Sequence, residues 1–189
     1  MDIFYEQAYS KINFTKEGLQ KASYEQCSFV DCQFNDLDLS HFDFSECTFD
    51  QCDLSLAKLG NTSFKEVVFT HCKLLGLHFD HCNPFLLQLE FHHCNLQLAS
   101  FYQLSLKKSL FESCSLKEVD FSSCDLRNSV FTHCDFFKTI FDQTNLSTCD
   151  FTGSINLQID PDHNSIKKSR FEHAQLPGLL SKHQIEVRD

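Results

Sequence analysis

Residues 14–79, broken every five residues, read FTKEG LQKAS YEQCS FVDCQ FNDLD LSHFD FSECT FDQCD LSLAK LGNTS FKEVV FTHCK LLGLH F. Each block begins with Phe, Leu or Tyr, giving the column Phe14, Leu19, Tyr24, Phe29, Phe34, Leu39, Phe44, Phe49, Leu54, Leu59, Phe64, Phe69, Leu74 and Phe79. Fourteen consecutive hits at one spacing make a repeat, and a repeat is read before any local propensity. After Pro84 the frame slips and the column resumes as Phe91, Leu96, Phe101, Leu106, Phe111, Leu116, Phe121, Leu126, Phe131, Phe136, Phe141, Leu146 and Phe151.

A second column lies two residues earlier and holds small or medium residues, among them Ala22, Cys27, Cys32, Cys47, Cys52, Ala57, Thr62, Val67, Cys72, Cys94, Ala99, Cys114, Val119 and Cys124. Two apolar positions flanking one polar residue alternate as an extended strand does. The remaining step of three residues breaks that alternation, so the chain turns a corner once per repeat. A helix cannot accommodate the pattern, because a period of five drifts around a 3.6-residue spiral. Columns twenty residues apart are uniform, as in Phe91, Phe111, Phe131, Phe151 and in Leu106, Leu126, Leu146, whereas a fifteen-residue coil would mix Phe with Leu. The expected fold is therefore all-β: a four-sided coil of about seven turns, roughly 35 Å long at ~4.8 Å per turn.

The rest of the composition agrees. The 189 residues fit one domain, and 42% hydrophobic residues with 21 Phe can fill a core. A formal charge of −10, from 26 acids against 16 bases, excludes a basic nucleic-acid binder. There is no apolar run near the ~18–20 residues of a membrane span and no basic-then-apolar leader. Eleven Cys without such a leader are expected as reduced thiols in a cytoplasmic protein.

The slip occupies residues 80–90, where Pro84 has no N–H to offer a ladder. Asn83, Pro84, Phe85 and Leu86 form the loop candidate, readable as a contact loop or as a register defect absorbed by a bulge. Residues 1–13, with Phe4 and Tyr9 in frame behind Asp2 and Gln7, are expected as a degenerate coil or cap. Residues 14–154 form the repeat body. Residues 155–189 form a C-terminal cap, in which Leu176, Leu179, Leu180 and His183 take helical spacing after Pro177, followed by an Ile185/Val187 strand.

All eleven Cys occupy the inward column, where Cys acts as a small hydrophobe, so core filling outweighs zinc, while disulfides between stacked coils stay open. His71, His81, His93 and His133 each precede a Cys and are expected to face outward. Asp38, Asp43, Asp53, Asp120, Asp125, Asp135 and Asp150, with Asn13, Asn95 and Asn145, directly precede a central Phe or Leu and are expected to bond local backbone at a bend. No nucleotide, hydrolase or metalloprotease motif appears, so a non-enzyme with no cofactor and no metal is expected.

Charge is uneven along the chain. Residues 22–57 hold eight acids and no Lys or Arg, and residues 118–166 hold eight acids against Arg127 and Lys138. A stiff rod carrying such bands could offer a basic groove an array of charge. The outward acids Glu25, Asp31, Asp36, Glu46, Asp50 and Glu66 are the candidate partner-binding belt.

The small-polar-Leu/Phe-polar-polar pattern resembles the pentapeptide-repeat family over nearly the whole chain. That resemblance implies a right-handed quadrilateral β-helix. The long repeat, the mid-chain slip and the tail running from Ile159-Asp160-Pro161 through Ile166-Lys167-Lys168 to Leu179-Leu180-Ser181-Lys182-His183 are similar to the Qnr, MfpA, McbG and AlbG group. Membership would imply a dimeric DNA mimic that binds DNA gyrase or topoisomerase IV without binding nucleic acid or membrane, and protects the enzyme from quinolones or peptide toxins. It would also imply dimerisation through residues 174–189, with Leu176, Leu179, Leu180, Ile185 and Val187 as contacts. The unbroken run from Phe14 to Phe79 departs from plasmid-borne Qnr proteins in lacking the first of their two projecting loops. The alternative is a scaffold whose partner is some other protein.

Overall fold

The structure, a computed structural model, describes residues 2–185. Strands β1 (Ile3–Tyr5), β3 (Ser23–Glu25), β5 (Asp43–Ser45) and β7 (Ser63–Lys65) stack in parallel as one wall. A second wall stacks β2 (Ala8–Ser10), β4 (Ser28–Val30), β6 (Thr48–Asp50), β8 (Val67–Thr70), β9 (Leu89–His92), β10 (Leu110–Glu112) and β11 (Val130–Thr132). Two further walls are held by single bridges, such as Gln33 to Asp53 to Lys73 and Ser100 to Asp120 to Ile140. The chain is thus an all-β parallel coil with four walls. The longest sheet spans six steps and bridges carry the ladder on to Arg170, a slight departure from the seven coils expected.

Register explains the uniform columns. Phe29 pairs with Phe49 and Phe49 with Phe69, twenty residues apart each time. Most rings therefore lie on a counterpart one coil away: Phe111 and Phe131 stack at 4.7 Å, and Phe79 and Phe101 at 4.7 Å with only 4° between planes. Rings from different walls meet edge-on, as Phe111 and Phe121 do at 88°. Both geometries suit the aromatic quadrupole and add about 0.5–1.5 kcal/mol per pair beyond burial.

The small column does more than fill space. Cys47 Sγ donates to the carbonyl of Tyr24, Cys52 to Phe29 and Cys72 to Phe49, each 23 residues earlier. Thr62, Ser129, Thr139, Thr144 and Ser154 donate in the same way to Leu39, Leu106, Leu116, Phe121 and Phe131. The column thus selects small donors, which corrects the view of Cys as a mere hydrophobe. All eleven thiols are buried and free. Burial pushes the Cys47, Cys124 and Cys149 thiols up to about 12, which keeps them un-ionised and inert. The column also admits Phe42, buried against Tyr24.

Corners fall two residues after each central side chain, where the backbone takes a left-handed conformation without glycine. Asp31, Asp36, Glu46 and Glu66 have φ of 53°, 60°, 53° and 52°. Such strain persists only where the surroundings over-determine it. Here the corner N–H of Asp31, Asp36 and Glu46 each donates to the next coil, at 2.9, 3.0 and 2.8 Å. Eight of the ten Asx side chains expected to bond the bend do so. Asp38, Asp53, Asn95, Asp120, Asp125, Asp135, Asn145 and Asp150 accept the N–H two residues on. Asp43 does not, because it lies on strand β5 with no turn after it, and it pairs with Lys65 instead. Asn13 accepts from the Thr15 hydroxyl, at the start of helix α1 (Phe14–Glu17).

Both ends differ in detail from expectation. The segment 1–13 supplies two regular strands, with Phe4 stacked on Tyr24 and Tyr9 on Phe29. At the far end the helical spacing yields only a four-residue helix α2 (Leu176–Leu179), flanked by 3-10 turns at His173–Gln175 and Ser181–His183. The helix is short because the segment is pinned to the last coil. Gln175 Nε2 donates to the carbonyls of Phe151 and Ser154, and Gly178 approaches the Leu157 carbonyl so closely that a Cβ would lie 1.8 Å from it. Ile185 is exposed and lies in no strand, while Val187 falls outside the described residues.

Candidate functional site

The structure divides the six candidate acids among several edges of the rod, so they are not one belt. Asp31 and Asp36 occupy two successive corners, and Asp50 lies on the outer side of β6 with His71 at 3.4 Å. Glu46 and Glu66 share the corner between the two sheets, one coil apart, and line a shallow groove with Thr48, Val68, Gln88 and Glu90. Gln26 Nε2, from the coil before, donates to Glu46 Oε2 at 2.7 Å. Glu6 belongs to the same corner one coil earlier still, and Glu25 lies beside it on β3. Their combined field is visible at Tyr5. Its phenol is held above the ordinary value by hydrogen bonding to Glu6 and by that residue's charge, with smaller contributions from Glu46 and Glu25.

The slip adjoins this corner. Asn83 still pairs at a twenty-residue step with Ser63, whereas Leu89 pairs with Val67 twenty-two residues back. The two extra residues are absorbed between them in a bulge, which ends the first sheet at β7. Asn83 Oδ1 accepts the N–H of Phe85, and Pro84, Phe85 and Leu86 are exposed. Leu86 and Leu87 line a second shallow groove with Ser45, Glu46, Lys65, Glu66 and Gln88. One residue of the loop candidate, Leu86, is thus brought against two of the candidate acids, with apolar side chains beside carboxylates. Glu6 and Glu90 were missed by the sequence reading. Glu6 stands forty residues before Glu46 and could have been found by extending the corner column, but placing Glu90 required the register across the slip.

Ion pairing separates the two acidic bands. Among the described residues, Glu25, Asp31, Asp36, Glu46 and Glu66 make no ion pair. In the later band, Asp125 is held by Arg127 at 2.7 Å and Lys107 at 3.2 Å, Asp135 by Lys117 at 3.2 Å and Asp150 by Arg170 at 3.2 Å. Lys182 clamps both Asp160 and Asp162. Arg127, followed by Lys107, lowers the Asp125 carboxyl to about 2, and hydrogen bonds from Thr152, then Arg170, lower that of Asp150. The band at 118–166 therefore corrects the charge reading. It is acidic along the chain, but five of its eight carboxylates are paired in space, because the coil returns cations from residues 107, 117, 170 and 182 to its side.

At the C-terminal end, Leu176, Leu180 and Ile185 are exposed and Leu179 is half-buried against the core. Within the described residues no helix is long and apolar enough to cross a membrane.

Known proteins can now be compared with this geometry. The family model described as "Pentapeptide repeat region" matches residues 42–121, and "Pentapeptide repeats (8 copies)" matches 114–153. No curated protein matches the sequence. A trypsin-treated form of QnrB1, a plasmid-mediated fluoroquinolone resistance protein, superposes with a TM-score of 0.65 at 19% identity, covering 98% of this chain and 100% of that one. A second QnrB1 structure gives 0.49 at 21% identity over 97% and 99% of the two chains. HetL, a pentapeptide repeat protein involved in heterocyst differentiation regulation from the cyanobacterium Nostoc sp. strain PCC 7120, gives 0.28 at 14% identity over 89% and 84%. Identities this low speak to the fold, and only the first superposition is close enough to argue from. With the two family models spanning 42–153 and the five-residue columns seen in the structure, the chain belongs to the pentapeptide-repeat family.

Proposed function

We propose that this protein is a cytoplasmic, non-catalytic DNA mimic that binds a type II topoisomerase, DNA gyrase or topoisomerase IV, and protects it from quinolones or peptide toxins. The observation that carries the reading is a stiff corner whose carboxylates Glu6, Glu46 and Glu66 make no ion pair among the described residues, with Gln26 between the first two and with Glu90, paired to His92, on the adjoining strand beside the bulge. Successive coils repeat at ~4.8 Å, comparable to the ~3.4 Å spacing of phosphates along one DNA strand. A groove that holds duplex DNA through Lys and Arg would meet these carboxylates with its side chains already placed. The fluoroquinolone resistance conferred by QnrB1, a protein of the same fold, supports the choice of partner. The exposed Leu176, Leu180 and Ile185 suit an end-to-end homodimer, which would double the rod.

Capture of gyrase subunits by the purified protein at low salt, with duplex DNA as competitor, tests the proposal. The complex should form, weaken as salt rises and yield to DNA. Unchanged supercoiling together with no complex at low salt would overturn it and leave the scaffold reading.

A further inference from the structure

We propose that His78, Asp80 and His81 form a binding site for one divalent metal ion of the zinc class. Among the described residues this is the one group of three His, Cys, Asp or Glu side chains whose ligand atoms all lie within 4.8 Å of one another. The cause is local backbone geometry. Most corners of the coil turn through a left-handed residue, but here Phe79–His81 forms a 3-10 turn just ahead of the slip. Side chains three apart eclipse in a 3-10 turn, and the His78 and His81 rings accordingly stack at 4.9 Å with 12° between planes. Asp80 lies between them, with His78 Nδ1 at 3.3 Å from one carboxylate oxygen and His81 Nε2 at 3.7 Å from the other.

Two further features favour a cation here. The Asp80 side chain is only 17% exposed, and its ion-pair partners among the described residues are these two imidazoles alone. It is therefore a largely covered carboxylate that, among the described residues, no Lys or Arg pairs with. In addition, His78 and His81 stand along an open groove that Gly60 and Gly76 line together with Leu56 and Lys58, so there is room for a ligand beside the two rings. Metal bonds of ~2.0–2.2 Å place ligand atoms about 3.3–3.5 Å apart in a tetrahedral shell. The two carboxylate contacts are already near that separation. The rings, 57% and 62% exposed, can rotate to close the remainder. Two imidazoles and one carboxylate leave a fourth position to water, and they select zinc over magnesium, a hard cation that keeps oxygen ligands. Beside the stacked pair His71 and His93, Asp50 approaches His71 at 3.4 Å but the three do not converge within 4.8 Å, and His92 turns its opposite nitrogens toward Glu90 and Glu112.

Titration of the intact protein with zinc ion, followed by calorimetry and by the histidine ring-nitrogen resonances, tests the site. One equivalent should bind, excess magnesium should not displace it, and the His78 and His81 resonances should move first. His78→Ala or His81→Ala should each weaken binding at least ~10-fold, Asp80→Asn should weaken it measurably, and His71→Ala should leave it unchanged. The three histidines are exposed and Asp80 is largely covered, so unchanged circular dichroism of each variant will confirm the fold. The proposal is overturned by the absence of saturable zinc binding, which would leave a metal-free imidazole–carboxylate cluster. It is equally overturned by binding that survives His78→Ala with His81→Ala, or that is lost in His71→Ala.

Discussion

In the coils of residues 22–57, five of eight carboxylates have no ion-pair partner among the described residues, whereas in the coils of residues 118–166 five of eight are clamped by Lys or Arg. The core beneath is the same in both places: stacked rings, a small donor column and a twenty-residue register. The difference is therefore confined to the outer surface. A solenoid keeps its interior and its exterior nearly independent, since alternate side chains serve only one of them. One half of the rod can present bare charge while the other spends its charge on cross-links between coils.

Shared interiors predict equal damage. Phe49→Ala before the slip and Phe131→Ala after it should each cost ~3–5 kcal/mol in chemical denaturation. A large inequality would mean that the slip divides the rod into parts of unlike packing. Surface changes should separate the halves instead. Glu46→Lys combined with Glu66→Lys should reduce topoisomerase binding at least ~10-fold, about 1.4 kcal/mol, while Asp120→Lys with Asp142→Lys should change it little. Equal losses would remove the bare corner from the proposal and leave net charge as the cause.

The donor column sharpens the comparison on the inside. Cys52→Ala should cost ~1 kcal/mol by removing the bond to the Phe29 carbonyl, and Ser154→Ala a similar amount through Phe131. Cys52→Ser should keep most of the stability, because a hydroxyl already fills the equivalent place at Ser154. The smallest effect is with acid. Asp125 has its carboxyl lowered in the folded state to about 2, from the ordinary ~3.9 of an unfolded chain. Its contribution is therefore complete above pH ~4 and is lost as pH falls toward 2. At its partial exposure that contribution is a few tenths to ~1 kcal/mol. Amide protection factors, taken against the intrinsic exchange rate at each pH, should fall in the later coils over this window, and Asp125→Asn should abolish that pH dependence at the site.

Much of this could be read from residue order. The five-residue column placed Phe29, Phe49 and Phe69 inside and Asp31, Asp36 and Glu46 outside at corners, because every fifth residue of such a coil has a fixed direction. The Asx set followed from the same phase, and failed at Asp43, where a wall became a true strand, and at Asn13, which accepts from the Thr15 hydroxyl at the start of α1. The donor role of Cys was hidden because its acceptor is a backbone carbonyl 23 residues away, which no side-chain pattern reveals. The tail helix was overestimated because periodicity registers Leu176, Leu179 and Leu180 but not the close seat of Gly178 on Leu157. The histidine cluster was missed because His81 was read by its place before a Cys, while its stacking on His78 comes from a 3-10 turn that replaces the usual corner.

Period and phase dictated the coil, its four walls and the inward or outward sense of nearly every side chain, since those depend only on position within five residues. Which charges meet was decided by winding. Lys107 reaches Asp125, Arg170 reaches Asp150, and Glu66 joins Glu90 across a two-residue slip. Such pairings depend on the number of residues in a full turn and on where that number changes. The net charge of a stretch of chain therefore says little about the charge of the surface it forms.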